Sequence, residues 1–325
     1  MFHKALTRLT TIMALTTMAA LGSATAAEYP NKPVQIVVPF PAGSITDTVG
    51  RIIAERLTVK LGQPVIIQNK PGAGATIGSA DVARAAPDGY TVLFGGNSTL
   101  TINPYLYKKL PYDPAKAFDP LTIAGEIPTV LIARPGLGIK PMQDLVSAAK
   151  KAPGSISVAT GSTTAQVAVA ALNRAAGINL ISVPYKGEPL GLTDLLGGHV
   201  DLMILNLPVA YQYLQEEKVI ALALPGNRNV QALPHVPLVS ETVPGYVMPN
   251  GWLAFWVPAG TPAPIAQRLQ KELVAVLNEP QVHSRIEATG GYVLYTGTPA
   301  QLRERTEQDA AKWSQLIKES GIEPQ

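Results

Sequence analysis

Residues 34–69 read VQIVVPFPAGSITDTVGRIIAERLTVKLGQPVIIQN. The β-branched run Val34–Val38 reads as a strand. Thr46–Leu61 then repeats apolar side chains at Val49, Ile52, Ile53, Leu57 and Leu61, the 3.6-residue period of a helix, and Val65–Ile67 reads as a second strand. Connections this short between strand, helix and strand predict parallel pairing, because a parallel neighbour is reached only through a crossover.

The same rhythm continues outward, with a helix expected over Ala75–Ala86 and a strand over Tyr90–Phe94. It breaks in the proline-rich stretch from Lys108 to Pro120 and resumes with Leu121–Ala133. A second series follows: helix Met142–Lys151, strand Ile156–Ala159, helix Thr164–Ala176, strand Leu180–Val183, helix Leu190–Leu196, strand Asp201–Leu205, helix Val209–Glu217 and strand Val219–Leu224. After a second proline-rich stretch, Leu233–Pro249, come strand Trp252–Val257, helix Pro262–Asn278 and a long last helix, Pro299–Lys318. Two irregular stretches bracketing a self-contained βα series predict one lobe inserted into another. The expected division is 28–124 plus 252–325 for the first lobe and 125–251 for the second, an α/β architecture of two doubly wound mixed sheets joined by two crossing strands. Two such lobes form a cleft closed by a hinge; two α/β domains with a fixed interface are the alternative.

Composition narrows the function. Of 325 residues, 46% are apolar and 15% charged, which excludes a disordered chain. Lys plus Arg number 26 against 23 for Asp plus Glu, so no polyanion-binding surface and no nucleic-acid partner are expected. Cysteine is absent, which removes disulfides, thiolate nucleophiles and cysteine-held metals. Residues 1–27 place Lys4 and Arg8 before an apolar stretch, Leu9–Leu21, and end in Ala24-Thr-Ala-Ala27. That is the layout of a signal peptide cleaved after Ala26 or Ala27, with an uncleaved anchor as the alternative, and the mature protein is expected in the periplasm.

Three loops at expected strand ends are small and rich in hydroxyls. The first, Pro39–Asp47, holds Phe40, Pro41, Ala42, Gly43, Ser44, Thr46 and Asp47; Pro41 and Gly43 force a tight turn, Ser44 and Thr46 are candidate helix caps, and Asp47 is expected to position the turn. The second, Gly95–Thr101, offers Asn97, Ser98 and Thr99; the third, Ala159–Gln166, offers Thr160, Gly161, Ser162, Thr163 and Gln166. None holds Lys or Arg, so an anion bound there is held by backbone N–H and hydroxyl donors. At about 1.5–3 kcal/mol per hydrogen bond to a charged group, four or five donors reach the roughly −8 kcal/mol of a micromolar complex.

Catalytic signatures are missing. There is no G-x-S-x-G elbow and no H-E-x-x-H, and His199, His235 and His283 are far apart in sequence. Pro71-Gly-Ala-Gly-Ala-Thr-Ile-Gly78 spaces its glycines one residue too widely for a dinucleotide fingerprint, and reads as a turn with close helix packing. No cofactor, metal or catalytic residue is expected; a secreted hydrolase or transferase of unfamiliar type is the competing class.

The chain resembles the Bug family, the extracytoplasmic solute receptors of tripartite tricarboxylate transporters. The resemblance is carried by Tyr29-Pro-Asn-Lys-Pro33, Val38-Pro-Phe-Pro-Ala-Gly43 with Asp47 and Arg51, Asn69-Lys-Pro-Gly-Ala-Gly74, Ala86-Pro-Asp-Gly-Tyr-Thr91, Ile102-Asn-Pro104, Val183-Pro-Tyr-Lys-Gly187, Asp194-Leu-Leu-Gly-Gly198 and Pro258-Ala-Gly-Thr-Pro262. It implies a two-lobed type II periplasmic binding protein that holds a carboxylated solute between the first turn and the Thr160–Gln166 loop, partly through water, and hands it to membrane permease subunits. A receptor feeding a signalling system is the other use of the same scaffold. A monomer is expected. Two departures bear on specificity: Ser44 replaces a glycine usual after Gly43, and Leu205 stands where an acid commonly precedes Asn206-Leu-Pro208. With Leu205, Ile204 and Ala165 expected near the cleft and no acid among them, a ligand without an ammonium group is expected, because a buried unpaired charge is costly. An aromatic acid fits this pattern, with Phe40 or Tyr185 as ring contact and Asn206 at the cleft.

Overall fold

The computed structural model describes residues 29–324; the expected signal peptide lies outside them. The first sheet is built from β1 (Val34–Val38), β2 (Val65–Asn69), β3 (Thr91–Gly96), β4 (Phe118–Ile127) and the much later β10 (Gly251–Pro258), in the order β2-β1-β3-β10-β4. The second holds β5 (Thr129–Ala133), β6 (Ser157–Thr160), β7 (Ile181–Pro184), β8 (Leu202–Asn206) and β9 (Ile220–Ala223), in the order β7-β6-β8-β5-β9.

The expected parallel pairing is present: Val34 lies opposite Val65 and Gln35 opposite Thr91, each through a helical crossover. In the second sheet β6 runs parallel to β7 and β8. β10 is antiparallel to both β3 and β4, and β5 is antiparallel to β8 and β9, so both sheets are mixed. The segment read as one run, Leu121–Ala133, is in fact two strands in different sheets, and the chain changes sheet at Pro128. Proline cannot donate to a ladder, so pairing stops there without an orphaned N–H. The return is made over residues 224–250, with Asn250 buried just before β10.

The helices, in chain order, are α1 (Ile45–Leu61), α2 (Thr76–Ala83), α3 (Asn103–Leu106), α4 (Met142–Lys151), α5 (Thr163–Ala176), α6 (Glu188–Leu196), α7 (Leu207–Gln215), α8 (Val239–Thr242), α9 (Ala263–Leu277), α10 (Pro280–Glu287) and α11 (Pro299–Ser320). α10 has no counterpart in the sequence reading: its eight residues, PQVHSRIE, bury only Val282 and Ile286. On the first sheet, α1, α9 and α10 pack on one face, around Val49, Ile53, Leu273 and Ile286, while α2 and the start of α11 cover the other, around Ala80, Val82 and Leu302. Phe94 of β3 and Phe255 of β10 stack with ring centroids 4.1 Å apart, which fastens the late strand into the middle of the early ones. On the second sheet, α4 and α5 cover one face and α6 and α7 the other.

The last helix does not stay with the first sheet. Its start buries Leu302 there, but Trp313 and Ile317 enter the second sheet's core beside Ala165, Val169 and Leu172 of α5, joined by Ile102 and Leu106 from the connection after β3. The reason lies in its length: 22 residues rise about 33 Å, enough to lie across both layers. Between those contacts Asp309, almost fully buried, accepts from Trp252 Nε1 at 2.7 Å and Arg305 Nε at 2.9 Å.

Candidate functional site

The turn after β1 is held from inside. Ser44 N donates to Pro41 O, and Gly43 adopts φ +80°, a left-handed conformation open to glycine. Ser44 caps α1 by accepting from Asp47 N at 3.3 Å, and Asp47 returns a bond by accepting from Gly43 N at 3.0 Å. Asp47 also accepts from Asn69 Nδ2 at 3.0 Å and pairs with Arg51 at 2.8 Å. Burial pushes this carboxyl up, but the Arg51 hydrogen bond, the Gly43 N–H and Asn69 outweigh it and hold it below the ordinary carboxylate range. These three contacts tie the carboxylate to the turn, to β2 and to its own helix. Ile45 and Thr46, whose N–H groups have no acceptor inside the helix, line the cavity beside Ser44.

The facing helix is built alike. Ser162 caps α5 by accepting from Ala165 N at 3.2 Å, and the α5 macrodipole adds its positive end to that of α1. Gly161 packs so tightly against the backbone of Gly187 and Glu188 that a Cβ there would lie 2.6 Å from Glu188 N. Across the cleft, Gly187 lies against the ring of Pro41 with no room for a Cβ, so the first turn and the start of α6 touch.

A cavity open to solvent at its mouth lies between the sheets. Its walls are Phe40, Pro41, Ser44, Ile45 and Thr46 from the first turn and the start of α1, Gly96, Asn97 and Ser98 from the end of β3 onward, and Gly161, Ser162 and Thr164 from the turn after β6 and the start of α5. Gly187 and Glu188 come from the start of α6 and Asn206 from the end of β8, while Ile127, Gly251, Trp252 and Leu253 come from the paired strands β4 and β10. An adjoining cavity shares Phe40, Pro41, Ser98, Gly161 and Ser162 and extends to Thr163, Gln166, Tyr185 and Lys186. Neither Lys, Arg nor His lines the inner cavity; Lys186 borders the outer one.

Of the residues expected at the site, Phe40, Pro41, Ser44, Thr46, Asn97, Ser98, Gly161, Ser162, Thr163, Gln166, Tyr185 and Asn206 are brought to these two cavities. Ala42, Gly43, Asp47, Thr99 and Thr160 are not. Thr99 and Thr160 are fully buried: the Thr99 carbonyl accepts from Tyr112 Oη at 2.8 Å, and Thr160 Oγ1 lies 3.1 Å from Ser182 Oγ. Tyr185 Oη donates to Asp194 at 2.7 Å; that carboxylate, helped by burial, pushes the phenol up to about 12. Asn97 is buried, its backbone spent on Trp252 O and the turn ahead, and its amide nitrogen has no partner.

Two contributors escaped sequence reading. The turn Pro71–Ala75 lines the outer cavity through three successive left-handed residues, Ala73, Gly74 and Ala75, the first and last of which are not glycines. The second is Glu188. Leu205, Ile204 and Ala165 are core residues rather than cleft residues, so the expectation of a cleft without an acid is corrected: the acid comes from the start of α6. Glu188 is 5% exposed and accepts from Asn206 N at 3.0 Å through Oε1, while its buried Oε2 has no partner. Burial, only partly offset by the Asn206 hydrogen bonds, pushes this carboxyl up to about 7.

Comparison with known proteins agrees with this architecture. The periplasmic binding protein BugD is 35% identical and superposes with a TM-score of 0.86 over 91% of this chain and 100% of its own. A Rhodopseudomonas palustris protein with adipate is 30% identical, with a TM-score of 0.87 over 92% and 100% of the two chains. MatC from Rhodopseudomonas palustris, with bound malate, is 30% identical, with a TM-score of 0.82 over 89% and 100%. Residues 49–322 match the model of the tripartite tricarboxylate transporter family receptor, and the chain belongs to that family of solute receptors.

Proposed function

We propose that the cleft between the sheets captures a small carboxylate in the periplasm and that the closed receptor presents it to the membrane permease subunits of a tripartite transporter. The observation that carries this reading is the convergence of two serine-capped helix N-termini, α1 and α5, on one cavity whose lining holds no Lys, Arg or His. Helix ends and backbone N–H groups bind anions without a basic side chain, and closure is driven by whatever contacts the ligand makes only in the closed form. The adipate and malate of the two Rhodopseudomonas palustris structures are carboxylates without an ammonium group, which supports the same class here. Phe40 and Tyr185 border the cleft and suit an aromatic acid as well. On this reading the two lobes expected from sequence, 28–124 with 252–325 and 125–251, meet at hinges moved to Pro128 and Asn250, because β4 runs on to Ile127 and β10 begins at Gly251; α11 is laid across both lobes, and the receptor acts as a monomer.

The test is a thermal-shift screen of the mature protein against aliphatic dicarboxylates, aromatic acids and amino acids, followed by calorimetry. A ligand at 100 times its Kd stabilises the native state by about 2.7 kcal/mol. A dicarboxylate or aromatic acid is expected to shift the melt; a shift from amino acids alone, or from no acid at all, overturns the reading.

A further inference from the structure

The cleft contains one group that an anion site does not obviously want. Glu188 sits in the wall of the inner cavity together with the two helix N-termini, with Oε1 spent on Asn206 N and Oε2 buried and unpartnered. An ionised Oε2 there would have neither solvent nor cation to balance it. Every charged group on the elements packed around it is engaged or remote. Asp47 is bound by Arg51, and Asp194 by the Tyr185 hydroxyl. Glu126, next to Ile127, is held by Arg228 and Arg305, and Asp309, behind Trp252, by Arg305. Lys186 borders the outer cavity and is exposed.

We propose that Glu188 carries a proton and donates it, as a hydrogen bond from Oε2, to an oxygen of the bound carboxylate, so that the receptor captures its anion together with one proton. The inference rests on the cleft being the carboxylate site. Three observations converge on it. A buried carboxyl without a counter-charge favours its neutral form, and a value pushed up to about 7 agrees. A neutral carboxyl owns one O–H donor, Glu188 lines the cavity, and its buried Oε2 is the oxygen left without a partner. A carboxylate ligand is an acceptor only, so it pairs with that donor and would be repelled by the ionised form. Chemically nothing is transferred: the proton stays on Glu188 Oε2, and the ligand holds it there by favouring the protonated state.

The experiment is calorimetric titration of the mature receptor with adipate and malate between pH 6.5 and 8.5, repeated in buffers of different ionisation enthalpy to count protons. With the free carboxyl titrating near 7, the Kd is expected to rise about twentyfold across this range, with close to one proton taken up per ligand at its upper end. Glu188→Gln is expected to weaken binding a few-fold, because an amide is the poorer donor, and to abolish both the pH dependence and the proton uptake. A flat pH profile with firm binding sinks this inference alone and leaves the carboxylate site standing. Glutamate or aspartate binding that survives in the wild type and vanishes in Glu188→Gln also overturns it, since Glu188 would then be an ionised partner for an ammonium group. Failure of both probes and of every acid in the screen at pH 6.5 overturns the carboxylate reading and this inference together.

Discussion

Replacing Glu188 by Gln should stabilise the ligand-free protein at neutral and alkaline pH. The carboxyl titrates near 7 when folded against an ordinary value of 4.5. Because the folded value is the higher one, the native state binds more protons than the unfolded state between these limits, and stability falls as pH rises through the window. The penalty is absent below about 4.5 and complete above about 7. A difference of about 2.5 units, at about 1.4 kcal/mol per unit, amounts to about 3.5 kcal/mol in full. Gln keeps an oxygen to accept from Asn206 N and places an uncharged amide where the O–H would be, so it escapes the penalty. Paired urea melts of wild type and variant at pH 4.5 and pH 8 isolate the effect, because every other titrating group cancels in the difference between the two proteins. The variant should gain about 3 kcal/mol relative to wild type over that interval. At roughly 2.1 cal/mol/K of unfolding entropy per residue, this corresponds to about 5 °C in Tm for a chain of this size. Parallel stability curves for the two proteins would show that Glu188 titrates normally and would refute the reasoning from burial.

Ser44→Ala and Ser162→Ala each remove a side-chain cap, from α1 and α5, and should cost about 1 kcal/mol apiece in denaturant melts. The double variant should also bind carboxylates at least tenfold more weakly by calorimetry; an unchanged Kd would remove these turns from the site. Gly187→Ala sets a Cβ into the ring of Pro41 across the cleft, so the protein should fold with near-normal stability yet lose at least tenfold in affinity. Small-angle scattering should show that it no longer contracts when adipate or malate is added, and contraction equal to wild type would count against closure at this contact.

The first strand, turn and helix were legible because local signals agree. Val34–Val38 is uniformly β-branched apart from Gln35, Pro41 and Gly43 close the turn, Ser44 caps, and the apolar period of α1 begins at once. The two crossings were legible only to within a few residues, because periodicity reports which face of an element is buried and not which sheet it joins. Leu121–Ala133 is apolar throughout, and only Pro128 marks the place where one strand becomes two. Thr99 and Thr160 share the composition of their loops but point their hydroxyls into local hydrogen bonds, which sequence alone does not distinguish from a free donor. Glu188 was invisible for a different reason. Its partner, Asn206 N, is 18 residues away and is reached only once β8 lies beside β6 and α6 has packed back on the sheet, so no window of sequence contains both.

The last helix adds a constraint on how the molecule comes into being. α11 follows every strand in the chain, yet it supplies Leu302 to one core and Trp313 and Ile317 to the other, and it brings Asp309 to the indole of Trp252. The first core lacks Leu302, and the second lacks Trp313 and Ile317, until those residues have been made, so the chain reaches its full stability only after nearly all of it has been synthesised. A protein assembled in that order stays open to handling as an extended chain during synthesis, the state in which a polypeptide can be threaded through a secretion channel.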